Sequence, residues 1–215
     1  MLLNFLCLTC PVDSSETTSK MLKKLKSYLS YRLARLMKPE IIGGFRRSDK
    51  VFLKNVGISN TSHISYPGNL YLEDFVFIGH YNYIDCLIGT RIGEGTQISN
   101  FISVLNHSSH HALRLHARQQ SSMHPADRKG LLKGKVEIGK YCFVGAHSII
   151  MPGSKLGDGC IVSAYSYVSG EFPPFSIIRG CPATVVGDVR KKDEQLLIDF
   201  PELREHYMGG NFFKT

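Results

Sequence analysis

One feature limits the folds open to this chain more than any other, an aliphatic residue at every sixth position. Ile138, Val144, Ile150, Leu156, Val162 and Val168 recur without a miss, followed by Gly139, Gly145, Met151, Gly157, Ser163 and Ser169. Four residues after each aliphatic position through Val162 stands a small side chain: Cys142, Ser148, Ser154, Cys160 and Ser166. A period of six fits neither a helix, at 3.6, nor an amphipathic strand, at two. It fits a β-solenoid in which each hexapeptide supplies one short strand and one corner of a prism, with the aliphatic residue pointing inward. Three hexapeptides close a coil. Ile138 is then expected to stack on Leu156, Val144 on Val162 and Ile150 on Val168, at about 4.8 Å.

An earlier block keeps the phase more loosely. Leu72, Ile78 and Ile84 are followed, after an offset of two, by Ile92, Ile98 and Val104, with Gly79, Gly89 and Gly93 in support. Before about Val51 the texture is helical, so the sequence divides into a basic helical segment at 1–48, a solenoid at 49–189 and a C-terminal helix and tail at 190–215. Within the solenoid the period stops between Val104 and Val136, which marks an insertion at 105–135.

The chain has 43% hydrophobic and 20% charged residues, which excludes wholesale disorder. No apolar run reaches the roughly 18 residues a membrane helix needs. The run from Met1 to Cys10 lacks a basic n-region, and the expected location is cytoplasmic. The six cysteines are scattered, which favours reduced thiols. Cys7 and Cys10 form an isolated CxxC with no second pair at zinc-ribbon spacing.

The formal charge of +8 is local. Lys20, Lys23, Lys24, Lys26, Arg32, Arg35, Lys38, Arg46 and Arg47 stand against Glu40 and account for all of it, leaving the rest neutral. Leu22, Leu25, Leu29, Leu33 and Leu36 step through the same segment by threes and fours, and Pro39 closes it. Residues 20–38 therefore read as an amphipathic basic helix. It either packs its leucines on the fold or lies on an anionic membrane or acidic partner. A neutral main body offers no extended basic face for nucleic acid.

The segments IGEGTQI, IGKYCFVGAHSIIMPGSKLGDGCIV and IIRGCPATVVG resemble the hexapeptide-repeat acyltransferases, and most closely their polysaccharide and galactoside O-acetyltransferase branch. The resemblance covers about Leu70 to Arg190. It implies an all-β fold, a left-handed parallel β-helix, assembled as a homotrimer that moves an acetyl group from acetyl-CoA to a saccharide hydroxyl without a metal. It also implies a role in surface polysaccharide or lipopolysaccharide assembly.

The same resemblance carries over residues one by one. LNHSSHHALR is similar to the family segment holding the catalytic histidine, which maps onto His107. A general base with a pKa near neutrality is what removal of an alcohol proton needs. Asn82, in IGHYNYID, resembles an acceptor-binding asparagine, and His110 and Arg114 lie in the insertion as further acceptor candidates. FVGAHS and VSAYSYV resemble the coenzyme-binding coils, which gives Gly145, Ala146, Ser163 and Ala164. Backbone amides near Gly145 and Ala146 would then serve as oxyanion donors. Phe143 replaces a tryptophan, and Ser163 and Tyr165 replace glycines. Arg179, Arg190 and Lys191 are the cations available to the coenzyme phosphates.

Other readings of the same chain stay open. The acceptor group is an amine in the sugar N-acyltransferases of the family. A γ-class carbonic anhydrase shares the fold and binds zinc through three histidines, for which His111 and His116 have a suitable five-residue step. A non-catalytic scaffold docked through its basic helix is the last. Cys142 and Cys160 fall at small-residue repeat positions, which argues against a thiol nucleophile.

Overall fold

A computed structural model describes residues 22–30, 32–33, 38–124 and 127–207. The chain divides into two units, Met1–Lys38 and Pro39–Thr215. In the first, residues 22–30 and 32–33 are helical. The second begins earlier than the expected boundary at 48. Ile41–Arg46 is a strand, and it pairs antiparallel with Phe52–Ser59 to cover the first coil.

The second unit is a parallel β-helix with three faces. One face stacks Phe52–Ser59, Phe77–Ile78, Gln97–Ile98, Phe143–Val144, Ile161–Val162 and Ser176–Gly180. The next carries His63–Ser65, Tyr83–Asp85, Ser103–Val104, Ile149–Ile150 and Tyr167–Val168, and the third runs from Leu70–Leu72 to Glu171–Phe172. The chain visits the first, second and third faces in turn. The stacks expected from the period form, Ile138 on Leu156, Val144 on Val162 and Ile150 on Val168. The looser block is in register as well, with Ile92, Ile98 and Val104 lying between Leu72, Ile78 and Ile84 on one side and Ile138, Val144 and Ile150 on the other. These ladders are the core, and nearly all their side chains are fully buried.

Every departure from six lies at one corner. Between successive inward aliphatics the first-to-second and third-to-first corners always take six residues. The second-to-third corner takes eight from Ile64 to Leu72 and from Ile84 to Ile92, thirty-four from Val104 to Ile138, and four from Val168 to Phe172. A corner that can lengthen without disturbing the ladders is where a site can be added to a regular scaffold.

The corners turn through left-handed backbone. At the first-to-second corner Tyr81, Phe101, His147 and Tyr165 have φ between 58° and 60°. Non-glycine residues there are strained. Their rings stack in a continuous row with centroids 5.1, 4.9 and 4.9 Å apart, which offsets part of that cost. At the third-to-first corner Gly95, φ 68°, lies under Tyr141, whose ring would stand 2.5 Å from an added Cβ. The helix Val189–Asp199 follows the last coil, with the Asp188 carboxylate accepting the Arg190 N–H at 2.9 Å as its N-cap.

Candidate active site

The insertion leaves and rejoins the solenoid as a short antiparallel ladder, His107 opposite Lys133 and Ser108 opposite Leu132. Gly134 N–H donates to Asn106 O at 3.0 Å and closes the base. Beyond it run a helix, Ala112–His116, and a 3-10 turn, Ala117–Ser122. Ala112 is fully buried, so the loop packs on itself rather than trailing in solvent.

His107 stands at the widened corner with its ring 27% exposed. Its Nδ1 makes a short hydrogen bond to Oδ2 of Asp85, which is 1% exposed. The other carboxylate oxygen of Asp85 accepts the Leu87 N–H at 3.1 Å. A buried carboxylate with one oxygen on backbone and one on imidazole fixes the ring and places its proton on Nδ1. The Nε2 lone pair is then left as a base. Asp85 was not among the residues expected from sequence. Its only signal is the two-residue offset between Ile84 and Ile92, which creates the bend in which Asp85 and Leu87 sit.

Asn106, immediately before His107, is fully buried, and neither Nδ2 nor Oδ1 of its side chain has a hydrogen-bond partner. Every other buried polar side chain of the solenoid interior has one. Leaving such a group unpaired costs about 1–3 kcal/mol, and this one lies under the loop base.

The other expected site residues fall into three groups. Asn82 does not face the site. It is 2% exposed, its Nδ2 donates to Gly79 O at 2.9 Å and Ser99 O at 2.8 Å, and its Oδ1 accepts the Ile102 N–H at 2.8 Å. That corrects its assignment to an acceptor, because its hydrogen bonds join two coils. His110 and Arg114 are in the loop with His107. Ser108 Oγ lies 2.9 Å from His110 Nδ1, and Arg114 donates to His110 O at 2.9 Å and to His111 Nδ1 at 3.2 Å.

The third group lies on a different corner of the prism. Gly145 and Ala146 stack on Ser163 and Ala164 between the first and second faces. The Gly145 N–H donates to Val162 O at 2.8 Å, and a Cβ there would stand 2.5 Å from Ala164 N. Gly145 is thus required by coil stacking, and its amide is not available as an oxyanion donor. Ser163 N–H is likewise engaged by Ile178 O at 2.8 Å. Ala164 is exposed and Ala146 half-buried, two small side chains next to the aromatic row. Arg190 grips Asp188 through two nitrogens, at 3.0 and 2.6 Å, and its guanidinium lies 4.9 Å from the Phe175 ring centre; it is exposed, as are Arg179 and Lys191.

Two of the buried thiols, Cys86 and Cys142, are poor nucleophiles. Burial pushes Cys86 up to about 12. The Cys160 sulfur and then burial hold Cys142 well above the ordinary thiol range. His116 Nε2 donates to Lys129 O at 2.9 Å. Among the described residues no three His, Cys, Asp or Glu side chains are grouped to hold a metal ion. Cys7 and Cys10 lie outside the described residues.

Comparison with known proteins finds the bacterial transferase hexapeptide model, six repeats, matching residues 135–170. An Escherichia coli K12 protein provisionally named lipopolysaccharide biosynthesis O-acetyl transferase WbbJ is 29% identical over 120 residues, covering 55% of this chain and 60% of its own. Galactoside O-acetyltransferase of the same organism is 25% identical over 144 residues, covering 66% of this chain and 64% of its own. The chain thus spans less than two thirds of either relative. A solved structure of a galactoside acetyltransferase in complex with coenzyme A superposes with a TM-score of 0.54 at 21% identity, over 65% of each chain, and is a likeness of fold.

Proposed function

We propose, from the premise that this chain is a left-handed parallel β-helix protein of the bacterial transferase hexapeptide family, that it is a coenzyme-A-dependent O-acetyltransferase acting on a saccharide hydroxyl. The observation that carries the reading is the His107–Asp85 pair at the one corner where the solenoid is interrupted. Acetyl-CoA would supply an activated thioester carbonyl. Nε2 of His107 accepts the proton of the acceptor hydroxyl as its oxygen bonds to the acetyl carbon. Asp85 stabilises the resulting imidazolium across Nδ1, and the same proton then passes to the departing thiolate. Transfer is direct, and no thiol of the chain takes part.

The reading assigns Ala146, Ser163 and Ala164 to the pantetheine arm and the exposed Arg179 and Lys191 to the coenzyme phosphates. His110 and Arg114 border the acceptor side. Because His107 and these small residues occupy different corners of one chain, the reading places the complete site between copies, in a homotrimer. It also places the enzyme in the cytoplasm, where the free Cys86, Cys142 and Cys160 stay reduced. The name of the first relative supports a place in lipopolysaccharide or other surface polysaccharide biosynthesis.

Calorimetric titration of the full chain with acetyl-CoA tests the donor. Saturable binding near one site per chain is expected, and absence of binding by folded protein would overturn the reading. Coenzyme A release is then followed with sugar hydroxyl and amino-sugar acceptors. Turnover confined to the amine would replace O-transfer by N-transfer.

A further inference from the structure

The catalytic reading leaves the N-terminal helix unused. Leu22, Leu25, Leu29 and Leu33 are 51–60% exposed, and Tyr28 beside them is 59% exposed. At 100° per residue the four leucines fall within a sector of about 80°. Lys26 and Arg32 flank that sector on its two sides, and Lys23 and Lys24 take the opposite face. Over residues 20–38 there are seven cations and no carboxylate.

We infer that this helix docks the protein on an anionic lipid bilayer, lying in the plane of the surface with its leucines in the acyl boundary and its flanking cations among the headgroups. A leucine face bordered by positive charge on both sides is the arrangement such a surface complements. A second copy of the helix is a poor occupant. In a heptad frame set by Leu22, Leu25 and Leu29 the next seam position is Arg32, and with no acidic residue the flanking positions of two copies repel. No described helix is long and apolar enough to cross a membrane.

The test is co-sedimentation of full-length protein with vesicles of phosphatidylcholine alone or with about one third phosphatidylglycerol, at physiological salt. Binding to the anionic vesicles at least about tenfold tighter than to neutral ones is expected. Leu25→Glu with Leu29→Glu should abolish it, and Lys23→Gln, Lys24→Gln and Lys26→Gln together should weaken it about tenfold or more. Acetyl-CoA affinity, measured in parallel on each variant, reports that the second unit is folded and separates this outcome from that of the catalytic reading. Equal binding to both vesicles, no binding, or binding that survives the leucine changes would each overturn the inference. So would equal competition by soluble polyglutamate, which would assign the helix to an acidic polypeptide. A fall in oligomer size in the leucine variant without vesicles would assign it to a second copy.

Discussion

Nδ1 of His107 is hydrogen-bonded to the carboxylate of Asp85, a residue 22 positions earlier and one coil away. This bond selects the imidazole tautomer. In Asp85→Asn the amide can offer either an oxygen or an NH2 to Nδ1, and the NH2 orientation moves the ring proton to Nε2 and removes the base. Turnover is expected to fall about ten- to a thousandfold. His107→Ala is expected to fall by about two orders of magnitude or more. Both should bind acetyl-CoA near wild type. Steady-state kinetics on protein shown by circular dichroism to be folded checks this, and near-normal turnover in either variant would remove that residue from the mechanism.

Asn106 makes the opposite case, a side chain whose presence costs stability. Its amide is buried with no partner, so replacement by the similarly shaped Asn106→Leu removes an unmet polar group and adds apolar burial. The variant is expected to be more stable by about 1–3 kcal/mol, read as a higher urea midpoint at unchanged m-value. A lower midpoint would mean that the amide is bonded in solution, through an internal water held at the loop base.

The ladders were legible because period six and inward aliphatics are the same fact seen in sequence and in space. Asn82 was legible too, had its phase been used. It stands four residues after Ile78, the slot filled by Cys142, Ser148, Ser154, Cys160 and Ser166 in later coils, all of them buried. Gly145 occupies the slot that meets the next coil's backbone. Asp85 was not legible in the same way. Its coil is 20 residues long at a corner of variable length, so no fixed spacing links it to His107, and only the folded corner brings them together. The insertion announced itself by breaking the period, but its self-packing around Ala112 has no sequence period to reveal it.

Glu73 sets an acid limit to stability. Burial pushes its carboxyl up, but the Arg91 hydrogen bond at 2.6 Å, the Glu94 N–H at 3.1 Å and the Lys140 charge outweigh it, leaving Glu73 below the ordinary carboxylate value. A carboxyl depressed in the folded state stabilises above its unfolded pKa, and that contribution is lost as pH falls through the folded value. Arg91 and Lys140 are half-exposed, so the amount is about 1 kcal/mol or less. Glu73→Gln is therefore expected to be slightly less stable at pH 7 and to converge with wild type as pH falls through the folded pKa of Glu73, in urea melts over a pH series.

The loop should be separable from the scaffold. His107 opposite Lys133 and Ser108 opposite Leu132 already form the last rungs of a hairpin, so residues 109–131 can be replaced by Asn-Gly, which favours the two-residue turn. Shortening the closure from 23 residues to two recovers about 2 kcal/mol of chain entropy, and the lost burial of Ala112 and Leu131 offsets a similar amount. The melting temperature should then shift by only a few degrees. The truncated chain keeps His107 and Asp85 but lacks His110 and Arg114, so acetyl-CoA affinity should survive while transfer to a sugar falls about a hundredfold or more. Transfer at the wild-type rate would show that the acceptor is held by the solenoid alone.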